Sequence, residues 1–208
     1  MKFKDYQSRA LLTESKPTSL AFGEIGLHIV LSGAIAMAEA VNKVKRTIYY
    51  GKPFEREDFA KFAQDAAGFA MLMYELQDHL DKPNDASNFD TVPEEAKTVK
   101  PENVDLRLLH AALGIFTEAG EALELVRDQL EGKPFDTVGW GEEIGGDVSW
   151  YQALGHDAAG TDEDVEREKN ILKLEARNKG QKFNADATVN RDVEAERAIL
   201  EGKPGTSA

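Results

Sequence analysis

The chain has 208 residues, 41% hydrophobic and 30% charged, as in ordinary soluble globular proteins. Its formal net charge of −13 argues against binding to duplex nucleic acid, which requires a basic surface. The absence of cysteine excludes disulfides and thiolate metal sites, and it favours a cytoplasmic location. The longest apolar run, 27–41, contains Glu39 and is too short to cross a bilayer, so we expect no membrane contact.

Apolar residues recur at helical spacing along most of the chain, which predicts an all-α fold. Two long helices are predicted first, over 20–46 and 55–80, with Gly51-Lys52-Pro53 between them. The next segment, 81–103, is rich in proline, aspartate and asparagine, and we expect it to be a linker.

Four further helices are predicted after the linker. The first is capped by Asn103 or Asp105 and ends near 130, and the others cover about 138–158, 162–179 and 186–202. Thr161 and Asp164 resemble a capping box at the start of the third. Residues 203–208 are expected to be a tail.

The sequence also contains a weak internal repeat with an offset of 82 residues. The alignment pairs Leu27-His28 with Leu109-His110, Glu39 with Glu121 and Asp65 with Asp147, and Gly-Lys-Pro-Phe occurs at both 51–54 and 132–135. This pattern predicts two pseudo-repeated helical units, 1–80 and 104–202, packed together. The alternative is two helical hairpins that share a turn by chance.

Four acidic residues in the second unit form a candidate metal site. Glu118 and Glu121 are three residues apart and Glu143 and Asp147 are four apart, so each pair lies on one face of its helix. If the two helices pack antiparallel, the four carboxylates converge and need a cation, because they repel one another. Oxygen ligands of this kind favour Mg²⁺ or Mn²⁺. The alternative is a solvated acidic face.

Two adjacent glycines, Gly145 and Gly146, lie between the acids of the second pair. Each costs about 1 kcal/mol relative to alanine inside a helix. We expect either a regular helix or a π-bulge at this point, with a neighbouring helix or a phosphate close to the glycines.

A basic and amide face follows on the next predicted helix. Asn170, Lys173 and Arg177 have the spacing i, i+3 and i+7, and such a face can bind phosphate oxygens. The alternative is a solvated face on which these residues pair with Glu166 or Glu175.

The second half of the chain contains the stretches LHAALGIFTEAGEALELV, EEIGGDVSWY, NILKLEARNKGQKF and NRDVEAERAIL. Together, over about 105–201, they resemble the MazG-like nucleotide pyrophosphohydrolases of the all-α NTP pyrophosphatase superfamily, of the phage and bacterial type. The resemblance implies a MazG-like helical bundle whose four acids bind Mg²⁺. A metal-activated water then attacks the α-phosphate of a nucleoside triphosphate and releases the monophosphate and pyrophosphate. The implied ligands are Glu118, Glu121, Glu143 and Asp147.

The same resemblance implies that Asn170, Lys173 and Arg177 contact the nucleotide, although the family's arginine usually lies one residue earlier. It also shows that this chain has one glycine more than the family's usual Glu-Glu-x-Gly-Asp motif.

The first half contains KVKRTIYYGKPFEREDF, 43–59, which looks like the segment between the two acidic helices in phage-type members. The repeat nevertheless places Ala36 opposite Glu118 and Lys61 opposite Glu143. We therefore expect an N-terminal copy that has lost metal binding. Because the family usually works as a dimer, we expect a homodimer or a single-chain pseudo-dimer, in which Lys45 and Arg46 reach the substrate.

Two other functions remain open at this stage. One is a catalytically inactive nucleotide-sensing or interaction module on the same fold, and the other is a dUTPase-like enzyme. The sequence leaves the base and sugar preference open.

Overall fold

The computed structural model describes residues 2–15, 24–80, 104–178, 184, 187–188 and 190–202. Within these ranges every regular element is helical and none is a strand, which confirms the predicted all-α class. The contacts divide the chain into two compact units. The larger comprises Met1–Thr18 with Glu102–Ala208, and the smaller comprises Ser19–Pro101. The expected linker, 81–103, and tail, 203–208, lie outside the described residues.

The helices are named in chain order. They are α1 (Phe3–Ala10), α2 (Glu24–Tyr50), α3 (Arg56–Leu80), α4 (Leu106–Leu130), α5 (Thr137–Trp140), α6 (Val148–Ala159), α7 (Glu163–Arg177) and α8 (Val193–Leu200). A 3₁₀ turn, Leu11–Thr13, follows α1, and a π-helical segment, Gly141–Asp147, joins α5 to α6.

The predicted boundary of the first unit, 1–80, needs a correction at its N-terminal end. Helix α1 and the 3₁₀ turn pack on α6 and belong to the larger unit. The Trp150 indole N–H donates to the carbonyl oxygen of Ala10 at 3.0 Å. The Arg107 guanidinium donates two hydrogen bonds to the Glu14 carboxylate, at 2.5 and 3.0 Å. These contacts join the first residues to helices more than ninety positions away, which the local sequence does not reveal.

The smaller unit is the helical hairpin of α2 and α3. Leu27 and Ile29 are buried in it, and a Cβ added to Gly33 would overlap the ring of Phe69. Helix α2 is longer than the apolar run noted above. Among the described residues its segment Gly26–Tyr50, with a mean hydropathy of 1.3, is the one helix long and apolar enough to cross a membrane. Core helices of soluble proteins share that property, so the expected absence of membrane contact stays a prediction.

The Gly-Lys-Pro turn ends the first long helix of both units in the same way. Gly51 and Gly132 have φ values of +64° and +86°, the left-handed conformation that glycine adopts at helix C-termini. The proline that follows two residues later cannot continue the helix. The turn is therefore shared, whereas duplication of the whole unit stays a prediction.

Helix ends in the larger unit are fixed by aspartate caps. Asp105 accepts hydrogen bonds from the backbone N–H groups of Arg107 and Leu108, which confirms one of the two predicted caps of α4. The predicted Thr161 cap of α7 is wrong, because Asp162 caps this helix. Helix α8 begins at Val193, later than predicted, with Asp192 as its cap.

Helices α4 and α6 pack closely and run antiparallel. The Cβ of Ala111 lies 3.4 Å from where a Cβ on Gly155 would lie, and four residues earlier on α6 the Tyr151 ring covers Gly114. A Cβ on Gly114 would overlap that ring, and Ala111, Gly114 and Leu154 are buried. Small residues on α4 therefore allow the two backbones to approach each other.

We predict that Gly114→Ala destabilises the protein although alanine favours helices. The added methyl group has to displace the Tyr151 ring, and overpacking of this kind lowers the free energy of unfolding by about 1–3 kcal/mol. Gly120→Ala is the matched control on the same helix, because its Cβ would meet no heavy atom within 4 Å. It should raise the stability by about 1 kcal/mol. Urea denaturation measures both, and equal stabilisation by the two variants would contradict the close packing.

Candidate metal centre

Three acidic side chains converge in the larger unit. Glu118 on α4 and the π-segment residues Glu143 and Asp147 each offer a carboxylate oxygen, and the three oxygens lie within 4.8 Å of one another. Two oxygens bound at ~2.0–2.1 Å to one Mg²⁺ ion lie at most about 4.2 Å apart. In octahedral coordination at most one pair among three ligands lies on opposite sides of the ion, and the other oxygens lie about 2.9 Å apart. The three carboxylate oxygens would therefore have to approach one another by up to about 2 Å to share one ion.

The antiparallel packing of α4 and α6 explains this convergence. Glu118 lies one helical turn after Gly114 on α4, and Asp147 lies one turn before Tyr151 on the other side. Since Gly114 and Tyr151 are in contact, the next residue pair along the two helices brings the carboxylates together. The sequence-based prediction that antiparallel packing gathers these acids is therefore correct for three of them.

The chain from Gly141 to Asp147 forms a π-helix, the alternative that the sequence left open beside a regular α-helix. The backbone N–H of Val148 bonds to the carbonyl oxygen of Glu143, five residues earlier. A Cβ added to Gly145 or Gly146 would meet no heavy atom within 4 Å. The Cβ side of these glycines is therefore open, whereas a neighbouring helix, α1, reaches the carbonyl oxygen of Gly146 through the Tyr6 hydroxyl at 3.2 Å.

Glu143 lies at the crowded centre of the three acids. Burial, a hydrogen bond with Glu118 and the negative charges of Glu121, Glu118 and Asp147 raise its pKa to about 6. Its Oε2 atom is buried and has no hydrogen-bond partner among the described residues. Without a cation, Glu143 therefore holds its proton only below about pH 6, and its buried Oε2 atom is left without a partner among the described residues.

Glu121, the fourth predicted ligand, lies beside these three acids rather than among them. It is exposed on α4 and falls outside the group that can share one ion, as far as the described residues show. Its charge nevertheless helps to raise the pKa of Glu143, and also that of Tyr151 after the larger effect of burial. It is close enough to act on the site electrostatically.

The predicted nucleotide-binding residues of α7 have different surroundings. Asn170 is exposed and Lys173 half-buried. Arg177 donates to both carboxylate oxygens of the buried Glu196 on α8, at 2.7 and 2.8 Å. Hydrogen bonds from Arg177 and Arg191 lower the pKa of Glu196 to about 2. This ion pair therefore contributes stability above about pH 4.5 that is lost as the pH falls toward 2.

In the smaller unit, a lysine side chain lies beside the corresponding acids. Ala36, Glu39, Lys61 and Asp65, the four residues that the repeat aligns with the predicted ligands, line one small groove between α2 and α3. The Lys61 ammonium lies 2.6 Å from the Asp65 carboxylate, and the charge of Glu39 adds to the rise of its pKa. One of these two acids is therefore paired with a lysine of the same helix, while the loss of metal binding in this unit stays a prediction.

Lys45 and Arg46, the other predicted substrate-binding residues, lie on α2 of the smaller unit, exposed and half-buried respectively. Their approach to a nucleotide stays a prediction.

Two tyrosines beside the acids were not among the predicted site residues. The Tyr151 ring packs on α4, and the Tyr6 hydroxyl donates to the carbonyl oxygen of Gly146 at 3.2 Å. A signal for α1 exists in the sequence, because Phe3, Tyr6 and Ala10 have the i, i+3, i+7 spacing of one helix face. That spacing predicts an amphipathic helix but does not identify the helix it covers.

Comparisons with protein families, with curated proteins and with solved structures gave no match to this chain. The resemblance to the MazG-like family therefore depends on the motifs quoted above.

We predict that the affinity for Mn²⁺ rises with pH. Protons compete with the metal for Glu143, and a pKa of about 6 gives about tenfold tighter binding at pH 7 than at pH 5. The stability of the metal-free protein changes with pH in the opposite direction to the metal affinity. Protonated Glu143 stabilises the folded state below about pH 4.5, and this contribution is lost as the pH rises through about 6.

Calorimetric titration with Mn²⁺ at pH 5, 6 and 7 measures this dependence. Glu143→Gln should remove both the tight binding and its pH dependence. The control is Glu142→Gln, which changes the exposed neighbouring glutamate and should behave like the wild type. The same pH dependence in both variants would show that the metal binds elsewhere.

Proposed function

We propose that the larger unit is a Mg²⁺-dependent nucleoside triphosphate pyrophosphohydrolase that also accepts Mn²⁺. The observation that carries the proposal is the convergence of Glu118, Glu143 and Asp147 from two packed elements, with one buried carboxylate oxygen unpaired. On an acidic helix face in solvent, the mutual repulsion of three carboxylates opposes any packing that brings them so close together.

The donor set fits a hard divalent cation. All three groups are carboxylates, and three ligands leave positions for water and for substrate phosphates on an ion that prefers six. When bound, Mg²⁺ would polarise a phosphoryl oxygen and lower the pKa of a coordinated water. The open side of the π-segment at Gly145 and Gly146 leaves room for a phosphate group.

The other residues of the chain have distinct roles in this proposal. Glu121 lies beside the three ligands and is the carboxylate that we assign to accept the proton of the attacking water. A bound cation would favour the ionised form of Glu143 and displace its proton. Asn170 and Lys173 are the α7 residues assigned to the nucleotide. Arg177 has a structural role, because its guanidinium is occupied by Glu196.

The proposal predicts release of pyrophosphate and a nucleoside monophosphate from a triphosphate in the presence of Mg²⁺. A panel of nucleoside and deoxynucleoside triphosphates, with product detection by chromatography, measures the activity and its base preference. Glu118→Gln should reduce kcat by about 100-fold or more, because a lost metal ligand forfeits several kcal/mol of transition-state stabilisation.

Glu124→Gln is the matched control for that variant. Glu124 lies on the same acidic stripe of α4, two turns beyond the ligand, and pairs with Arg127 at the surface. Its replacement should leave kcat within about twofold of the wild type, since exposed ion pairs contribute little. Absence of pyrophosphate release from every triphosphate would overturn the enzymatic function and favour a nucleotide-sensing module.

A further inference from the structure

The N-terminal segment, Phe3 to Ser15, covers α6 through side-chain contacts spread along its length. The Gln7 side-chain amide donates to the carbonyl oxygen of Ala153 at 3.0 Å, and the Trp150 indole N–H donates to the carbonyl oxygen of Ala10. Glu14, almost fully buried, completes the attachment through its ion pair with Arg107. The segment is therefore fixed at several points on the helices that carry the acids.

One contact of this segment differs from the others because it reaches the π-segment itself. The Tyr6 hydroxyl donates to the carbonyl oxygen of Gly146, the residue immediately before Asp147. The Tyr6 side chain is half-buried, and burial, followed by the negative charge of Asp147, raises the pKa of its hydroxyl. Tyr6 thus lies next to one of the three acids without being a ligand itself.

The π-segment packs against α4 and α5, but its two glycines contribute no side chain to that packing. A helix of this kind has weaker geometry than an α-helix, and two adjacent glycines give it no side chains with which to pack. A Cβ on either glycine would meet no neighbouring heavy atom. The direction in which the Asp147 side chain leaves the backbone therefore depends on contacts that hold the Gly146 peptide in place.

We propose that Tyr6 is a positioning residue of the metal centre. By holding the carbonyl group of Gly146, it fixes the turn that directs Asp147 toward Glu118 and Glu143. This inference rests on the metal binding in the proposed function, but it does not require the hydrolysis of a nucleotide.

The test compares Tyr6→Phe with Gln7→Met. Tyr6→Phe removes the hydroxyl and keeps the ring, and Gln7→Met removes the neighbouring hydrogen bond to Ala153 on the same helix, away from the acids. The readouts are the Mn²⁺ dissociation constant, from electron paramagnetic resonance of free Mn²⁺, and the unfolding temperature of the metal-free protein. Loss of a group that orients a ligand typically weakens metal binding by about 10–100-fold.

We expect Tyr6→Phe to weaken Mn²⁺ binding by about tenfold and Gln7→Met to leave it unchanged, with similar small decreases in unfolding temperature. Equal weakening by both variants would overturn the inference, because the segment would then act only through stability. Unchanged binding in Tyr6→Phe, or a wild-type protein that binds no Mn²⁺, would also overturn it. A wild-type protein that binds Mn²⁺ without releasing pyrophosphate would refute the hydrolytic function alone, and the comparison of the two variants would still decide the role of Tyr6.

Discussion

The close contact of α4 with α6 is the constraint on which the site depends. Gly114 has no side chain, so the Tyr151 ring lies directly on α4, and the two helices approach closely enough for the next turn to bring Glu118 and Asp147 together. A larger residue at position 114 would separate the helices and the carboxylates at the same time. The packing of the larger unit and the geometry of its acids therefore have the same physical cause.

Clustered carboxylates are stabilised by positive charge, and the two units differ in where that charge comes from. In the larger unit, burial and mutual repulsion raise the pKa of Glu143 to about 6, and its Oε2 atom has no hydrogen-bond partner in the described part of the chain. In the smaller unit, Lys61 provides an ammonium group within the chain. The first arrangement is open to an external cation, whereas in the second the Asp65 carboxylate already has an ammonium partner. This difference supports the assignment of metal binding to the larger unit alone.

The sequence predicted the features that depend on local patterns. Apolar periodicity predicted the all-α class, the spacing of the acids predicted their convergence, and the extra glycine suggested the π-helix. It could not predict contacts between residues far apart in the chain. The hydrogen bond from Tyr6 to Gly146 spans 140 positions, and the pairing of Arg177 with Glu196 depends on how α8 returns to α7. The sequence could not show that Glu121 lies outside the group of three, because helical spacing identifies a common face but gives no distance to the opposite helix.

The central claim is that Glu118, Glu143 and Asp147 bind one divalent cation. A crystal structure with Mn²⁺ tests it most directly, because the anomalous signal of manganese locates the ion independently of the protein model. We expect a single strong peak per chain, about 2.1–2.2 Å from an oxygen of each of the three carboxylates, values close to those of Mg²⁺. Absence of a peak at these residues, or a peak in the Lys61 groove of the smaller unit, would contradict it.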